Sequence, residues 1–200
     1  MIHEVKQAMS PSEWDFANSI LYKMCSEHPN HDPEKAFAKI WLIGRTYSAA
    51  IERRTDGTSY DDFYVEKVKP ILAEHDIDSW FPALALYEEV TNENIEKIIF
   101  AHKLLVDIFH EISAQNKRSL ASKYLHFHFP NLFYIYDSRA KSGIKIYQDQ
   151  IGHVNRFSNV CDKEYELFFL KCHQLRKHIK NTYSLDLTPR QIDNLLLRSK

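Results

Sequence analysis

The chain has 200 residues, of which 44% are apolar, 13% aromatic and 26% charged, a composition that builds a packed core and excludes an intrinsically disordered chain. A formal net charge of −1 and a pI of about 6.8 exclude long-range attraction to a nucleic-acid duplex, so any such contact must come from local basic patches. The four glycines, Gly44, Gly57, Gly143 and Gly152, are roughly a third of the usual number, which argues against a sheet-rich fold with many tight turns. Neither a P-loop nor a GxGxxG motif is present, and no cofactor is expected.

In chain order, Ser10-Pro11-Ser12-Glu13 predicts the start of a first helix, with Ser10 as cap, Pro11 at the first position and Glu13 closing a capping box. Trp14, Ala17, Ile20, Leu21 and Met24 follow at helical spacing as its buried face. Asp32-Pro33 opens a second helix that the pattern carries to about Arg54, with Phe37, Ile40, Trp41, Gly44, Tyr47, Ser48 and Ile51 inward. Gly44 in its middle costs about 1 kcal/mol relative to Ala, which a close helix crossing would offset. Thr55-Asp56-Gly57 ends that helix, and Ser59 caps a third, with Phe63, Val68, Ile71 and Leu72 inward and Pro70 marking a kink or junction.

Ile77 to Tyr87 reads as a shorter, aromatic-rich helical stretch, and Thr91 or Asn92 starts the longest helix, through Ile95, Ile98, Ile99, His102, Leu105, Ile108, Phe109 and Ile112. Lys117 to Phe129 is a further helix, stopped by Pro130, because a residue before proline avoids the α conformation. The FYIY run at residues 133–136 is a strand stub or an extended connector. A helix begins near Asp137 or Ser138 and fades before Gly152, another spans Lys163 to Asn181, and Thr188-Pro189 opens the last, with Ile192, Leu195 and Leu196 inward. The expected fold class is therefore all-α, a compact multi-helix bundle. It forms one domain over residues 1–200, with any two lobes meeting near residues 87–92.

Polar groups of catalytic type are densest between Lys117 and Gly143, in KRSLASKYLHFHFPNLFYIYDSRAKSG. Asp137 stands at a helix start, where the dipole favours negative charge, and it serves there as a cap or as a catalytic carboxylate. Lys123 is a candidate amine nucleophile, or a lysine paired with a carboxylate such as Asp137. His126 and His128 alternate with Phe127 and Phe129; they share a face only if the segment is extended, and they are candidates for hydrogen bonding to substrate or for satisfied core positions. No convergent third ligand accompanies them, so no metal site is expected. Arg139 can meet a phosphate near the helix start, and the rings of Tyr134 and Tyr136 can stack on a base or fill the core.

The order of helix, proline turn, apolar pair and aspartate in NLFYIYDSRA resembles the helix-hairpin-helix DNA glycosylase superfamily. It is similar to bacterial proteins of the 8-oxoguanine-glycosylase fold, some of which accompany anti-phage defence genes. The resemblance covers roughly residues 117–140. It implies a glycosylase-like helical fold, a nucleic-acid or nucleobase substrate, and N-glycosidic bond cleavage with Asp137 as the catalytic aspartate. In bifunctional relatives a lysine precedes that aspartate at an offset that falls here on Arg118, which cannot act as the nucleophile; Lys117 is adjacent, and Lys123 fits a shortened register. The family's L-P-G-V-G-x-K/R hairpin is replaced by the glycine-free ISAQNKRSLASKY, which leaves open another substrate geometry, another nucleic acid, or a binding-only role.

A second patch, WLIGRTYSAAIERR, places Arg45 and Arg53 nearly in line on the expected second helix as a phosphate-binding stripe, although cations near a helix C-terminus also complement the dipole. The run KCHQLRKHIK at residues 171–180 offers a third. Cys25, Cys161 and Cys172 are too few and too widely spaced for a disulfide scaffold. No apolar run is long enough to span a membrane, so the cytoplasm is the expected location and no membrane partner is expected. Three functions follow from the residues: a nucleic-acid or nucleobase-recognising protein that cleaves an N-glycosidic bond, a non-catalytic binding module, and a structural partner in a multiprotein system.

Overall fold

A computed structural model describes residues 1–53, 55, 63–156 and 159–198. All regular structure among these residues is helical. The principal helices are α1 (Ile2–Met9), α2 (Asp15–Glu27), α3 (Pro33–Thr46), α4 (Lys69–Glu74), α5 (Ile95–Ser113), α6 (Arg118–His128), α7 (Ser138–Gly143), α8 (Gln148–Ile151), α9 (Lys163–Tyr183) and α10 (Pro189–Arg198). A π-helical turn at Tyr64–Val68 runs directly into α4, and Pro70, which has no N–H to give, sits in the first turn of α4 at that junction. The aromatic-rich stretch is two 3₁₀ segments, Ile77–Ser79 and Phe81–Leu86, and a third, Ile144–Tyr147, joins α7 to α8.

Local sequence sets most helix starts. Asp32 accepts from the Lys35 N–H at 3.1 Å ahead of Pro33, and Asp162 accepts from the Tyr165 N–H at 2.9 Å. Thr188 and Gln191 satisfy each other's backbone N–H groups, at 2.9 and 3.2 Å, as a reciprocal box. The scarcity of glycine is met at helix ends by Ala114 (φ 53°) and Ser184 (φ 56°), which take the left-handed conformation at the close of α5 and α9.

Three expectations need correction. Residues 2–9 form α1, and Ser10 ends that helix rather than opening the next; α2 starts at Asp15, whose carboxylate accepts from the Ser12 N–H and hydroxyl at 2.8 and 2.7 Å. The buried face of α2 is Asn18, Leu21 and Cys25, while Trp14 and Ile20 are 69% and 54% exposed, because Asn18 turns inward to a tertiary partner. The second expected helix stops at Thr46 instead of near Arg54: Ser48 takes φ 52° and the chain doubles back, so that Ala50 lies against Gly44. A Cβ on Gly44 would meet the Ala50 Cα at 3.0 Å, so this glycine makes room for its own chain's return, not for a crossing helix. The expected Asp56-Gly57 turn and the Ser59 cap lie outside the described residues.

Helix α6 is the axis of the bundle. It packs against α2, α3 and α5, and every residue from Leu120 to Phe127 is buried. A helix enclosed on all sides is usually apolar throughout. This one carries Ser122, Lys123 and His126, and each of these polar groups must find a partner inside. Among the described residues no helix is long and apolar enough to cross a membrane.

Candidate active site

Those partners lie on the connector that follows α6. Residues 133–136 have no regular secondary structure, and side chains satisfy much of their backbone. His126 Nδ1 donates to the Phe133 carbonyl at 2.8 Å, the Tyr165 hydroxyl donates to the Tyr134 carbonyl at 3.0 Å, and the Tyr136 N–H donates to Ser122 Oγ at 2.9 Å. The connector is thereby fixed, and it delivers Asp137 to the start of α7.

Asp137 does two things with its two oxygens. Its Oδ1 caps α7, accepting from the Arg139 and Ala140 N–H groups at 3.0 and 2.9 Å. Its Oδ2 lies 3.4 Å from Lys123 Nζ. Lys123, 1% exposed, also donates to Ser119 Oγ at 2.7 Å and to the Tyr136 carbonyl at 3.3 Å. Burial holds its amine below the ordinary lysine range, against the Asp137 carboxylate, which raises it.

Asp137 lines a cavity of about 760 Å³ whose wall also includes Asn18, Tyr47, Ser119, Arg190 and Asp193. Arg53, Arg139 and Arg190 give it cations, and Trp14 stands exposed at its edge. Asp193, 3% exposed on α10, accepts from Arg190 Nη1 at 2.9 Å. Burial pushes its carboxyl up to about 6; Arg190 and Lys123 pull it down, and Asp137 pushes it further up. Tyr47 donates to Asn18 Oδ1 at 2.5 Å and fixes the amide.

Of the residues singled out in sequence, Arg53, Tyr136, Asp137 and Arg139 line this cavity, and Lys123 pairs with Asp137 without lining it. The Tyr136 ring packs edge-on against Phe168, 5.2 Å between centroids, so its ring is largely occupied by the core. Other candidates are placed elsewhere. His126 is fully buried, with Nδ1 on the Phe133 carbonyl and Nε2 accepting from the Tyr22 hydroxyl at 2.7 Å; burial lowers it to about 4, and both nitrogens are already used by the core. His128 lies at a different cavity, of about 870 Å³, with Phe81, Pro82, Phe129 and Pro130 among its lining. That cavity is the larger, and among the described residues its lining includes no lysine or arginine, whereas the Asp137 cavity is lined by Arg53, Arg139 and Arg190.

Arg45 and Arg53 do not form a stripe, because α3 ends between them. Arg45 meets the buried Glu52 at 2.5 Å, whereas Arg53 donates to the Ser48 carbonyl at 3.0 Å and reaches the cavity. Arg118 is committed to Asp162, with Nε at 2.7 Å, and to Glu164 at 3.2 Å, and Lys117 donates to the Arg53 carbonyl at 2.7 Å. In the third basic run, Arg176 and Lys180 both pair with Asp186, at 2.9 and 2.6 Å. Among the described residues no three His, Cys, Asp or Glu side chains converge to hold a metal, and Cys25, Cys161 and Cys172 are buried and not joined by a disulfide.

Sequence reasoning missed Asn18, Ser119, Arg190 and Asp193. One signal was available: Asp193 stands on the apolar face of α10 among Ile192, Leu195 and Leu196, where an acid calls for a reason. Comparison of the chain with protein-family models, with curated proteins and with solved structures finds no match in any of the three.

Proposed function

We propose that the Asp137 cavity receives a base from a nucleic acid and that the protein cleaves its N-glycosidic bond, as the resemblance of NLFYIYDSRA to the helix-hairpin-helix glycosylases implies. The observation that carries this reading is the 3.4 Å approach of a buried lysine amine to a carboxylate beside an arginine-rimmed cavity. As the C1′–N bond of the nucleotide breaks, positive charge grows on the sugar, and Asp137 Oδ2 stabilises it electrostatically. The bonding electron pair leaves with the base, which takes up a proton. The vacated C1′ is filled by water, or by the neutral Lys123 amine forming a C1′–Nζ bond and then, on sugar-ring opening, a Schiff base. Arg53, Arg139 and Arg190 supply the local positive charge that a phosphate backbone needs on a chain of net charge −1. Trp14 at the mouth offers a face on which a neighbouring base can stack.

A second reading, binding without cleavage, is favoured by one specific observation. Lys123 is 1% exposed and already holds Ser119, Tyr136 and Asp137, the bonding of a structural lysine. Base release and strand cleavage on single- and double-stranded DNA and RNA, with normal and damaged bases and with borohydride present, separates the two. Release lost in Asp137→Asn supports cleavage, and a reduced adduct lost in Lys123→Ala names the nucleophile. Binding without release on every substrate moves the assignment to the binding module.

A further inference from the structure

Three buried polar atoms of residues that line the Asp137 cavity have no hydrogen-bond partner among the described residues: Asn18 Nδ2, Asp193 Oδ1 and Arg190 Nε. Asn18 and Asp193 are 5% and 3% exposed. An unmet buried polar group forfeits its hydration with nothing in return, and such groups are rare, so three on one cavity need an explanation. The partners of their companion atoms fix the role of each. The Tyr47 hydroxyl occupies Asn18 Oδ1 at 2.5 Å, leaving the Nδ2 hydrogens as free donors. Arg190 Nη1 occupies Asp193 Oδ2 at 2.9 Å and its guanidinium also approaches the Tyr47 hydroxyl, leaving Asp193 Oδ1 as an unmatched acceptor and the Arg190 Nε–H as an unmatched donor. The wall thus offers two donors and one acceptor, held in place by bonds that do not involve a ligand.

We propose that Asn18, Asp193 and Arg190 read the base, selecting a heterocycle whose pairing edge carries two hydrogen-bond acceptors and one donor. This rests on the reading of the cavity as a base-binding site. Uracil and thymine have that pattern, with a ring N–H between two carbonyl oxygens, and cytosine has it with its amine donor at the end of the row. Adenine offers one of each, and guanine offers two donors and one acceptor, so that one guanine donor would face a protein donor. A site built to hydrogen-bond its ligand rejects a mismatched edge strongly, because its own buried groups then stay unpaired.

The test is titration of deoxyuridine, deoxycytidine, deoxyadenosine and deoxyguanosine into the wild type and Asp137→Asn by calorimetry, at about pH 8, where the Asp193 carboxyl is ionised. Deoxyuridine or deoxycytidine binds at least about tenfold more tightly than either purine nucleoside in both proteins. Preference for deoxyuridine puts the acceptor of the wall between its donors, and preference for deoxycytidine puts it at one end. Asn18→Asp, which turns a donor into an acceptor, moves the preference to deoxyguanosine, and Asp193→Leu levels the ranking. A ranking led by a purine in the wild type, no binding of any of the four, or an unchanged ranking in both wall variants while they remain folded overturns the proposal. Pyrimidine preference in a protein that releases no base defeats only the cleavage reading. Base release without pyrimidine preference defeats only this one.

Discussion

Replacing Asp193 by asparagine should change how stability depends on pH, and the size of the effect follows from the burial of one carboxyl. In the folded protein the Asp193 carboxyl is pushed up to about 6 from an ordinary 3.8, with desolvation the largest cause. The unfolded chain therefore sheds this proton near pH 3.8, while the folded chain keeps it to about pH 6. Between those values the unfolded state binds fewer protons, and stability falls as pH rises. The shift of roughly two units corresponds to about 3 kcal/mol, present in full below the unfolded pKa and lost above the folded one. The amide side chain preserves the shape and an acceptor for Arg190 but does not titrate, so whatever fixed cost it carries is the same at every pH. The stability of Asp193→Asn minus that of the wild type should thus rise by about 3 kcal/mol between about pH 3.5 and pH 7.5, as read from urea midpoints across that range. A gap that stays flat, or that widens toward acid, would refute the reasoning and mean that Arg190 and Lys123 outweigh burial at this carboxyl.

Four further outcomes can be checked. Lys123→Met leaves the Asp137 carboxylate without its cation and should cost about 3 kcal/mol in urea unfolding, while any borohydride-trapped adduct disappears; unchanged stability would mean that Asp137 does not depend on Lys123 in the fold. Arg118→Met leaves the Asp162 carboxyl, 8% exposed, without its cation and should cost about 3 kcal/mol by the same measurement at neutral pH. Burial raises that carboxyl, but the Arg118 hydrogen bond and charge bring its net pKa below the ordinary value, so its contribution to stability is lost as pH falls through that lowered pKa and the variant's deficit should shrink in acid. Tyr22→Phe strands His126 Nε2 in the core and should cost about 1–3 kcal/mol; an unchanged melting temperature would mean that this nitrogen has another partner. Gly143→Ala should cost about 1–3 kcal/mol in thermal unfolding, because the added Cβ would collide with the Leu196 carbonyl oxygen; wild-type stability would mean that α7 and α10 can separate without loss.

What could be read from the sequence was local. Asp32-Pro33 and Thr188-Pro189 announce helix starts because a cap and its partner lie within one turn, and the structure uses both. Pro70 and Pro130 mark a junction and an end for the same reason. The end of α3 was not legible. Ser48 has no intrinsic preference for φ 52°, and nothing between Thr46 and Arg53 signals that the chain turns back onto Gly44. The inner face of α2 was misphased because Ile20, and Trp14 just before the helix, are exposed, while the polar Asn18 is drawn inside by Tyr47 at the end of α3. The same division runs through the candidate site. Lys123 and Asp137 are separated by one turn and one connector, so a local pattern can hold both; Asn18, Arg190 and Asp193 come from α2 and α10, and no spacing along the chain relates them to Asp137.

The dependence of the cavity on α10 also explains why one of only four glycines stands at residue 143. Helix α7 is short, and its two ends carry different duties. Asp137 caps its start with one oxygen and faces Lys123 with the other, while Gly143 at its end lies under the Leu196 backbone of α10. No side chain fits between the two backbones there, so α10 can seat closely on α7 only with glycine at that position. That seat fixes Arg190 and Asp193, toward the opposite end of α10, at the cavity beside Asp137. On the far side α10 is held by α1: Asn194 donates to the Ala8 carbonyl at 3.4 Å and Arg198 to the Gln7 carbonyl at 2.8 Å. The first and last described helices therefore pack as a pair, and α10 of that pair seats the segment that presents the carboxylate. The charges of Lys123 and Asp193, both buried, and of Asp137 and Arg190, both partly exposed, are held together by contacts among the most sequence-distant parts of the described chain. Such a cluster is costly to assemble. Three polar atoms of residues on the cavity wall, Asn18 Nδ2, Arg190 Nε and Asp193 Oδ1, have no hydrogen-bond partner among the described residues.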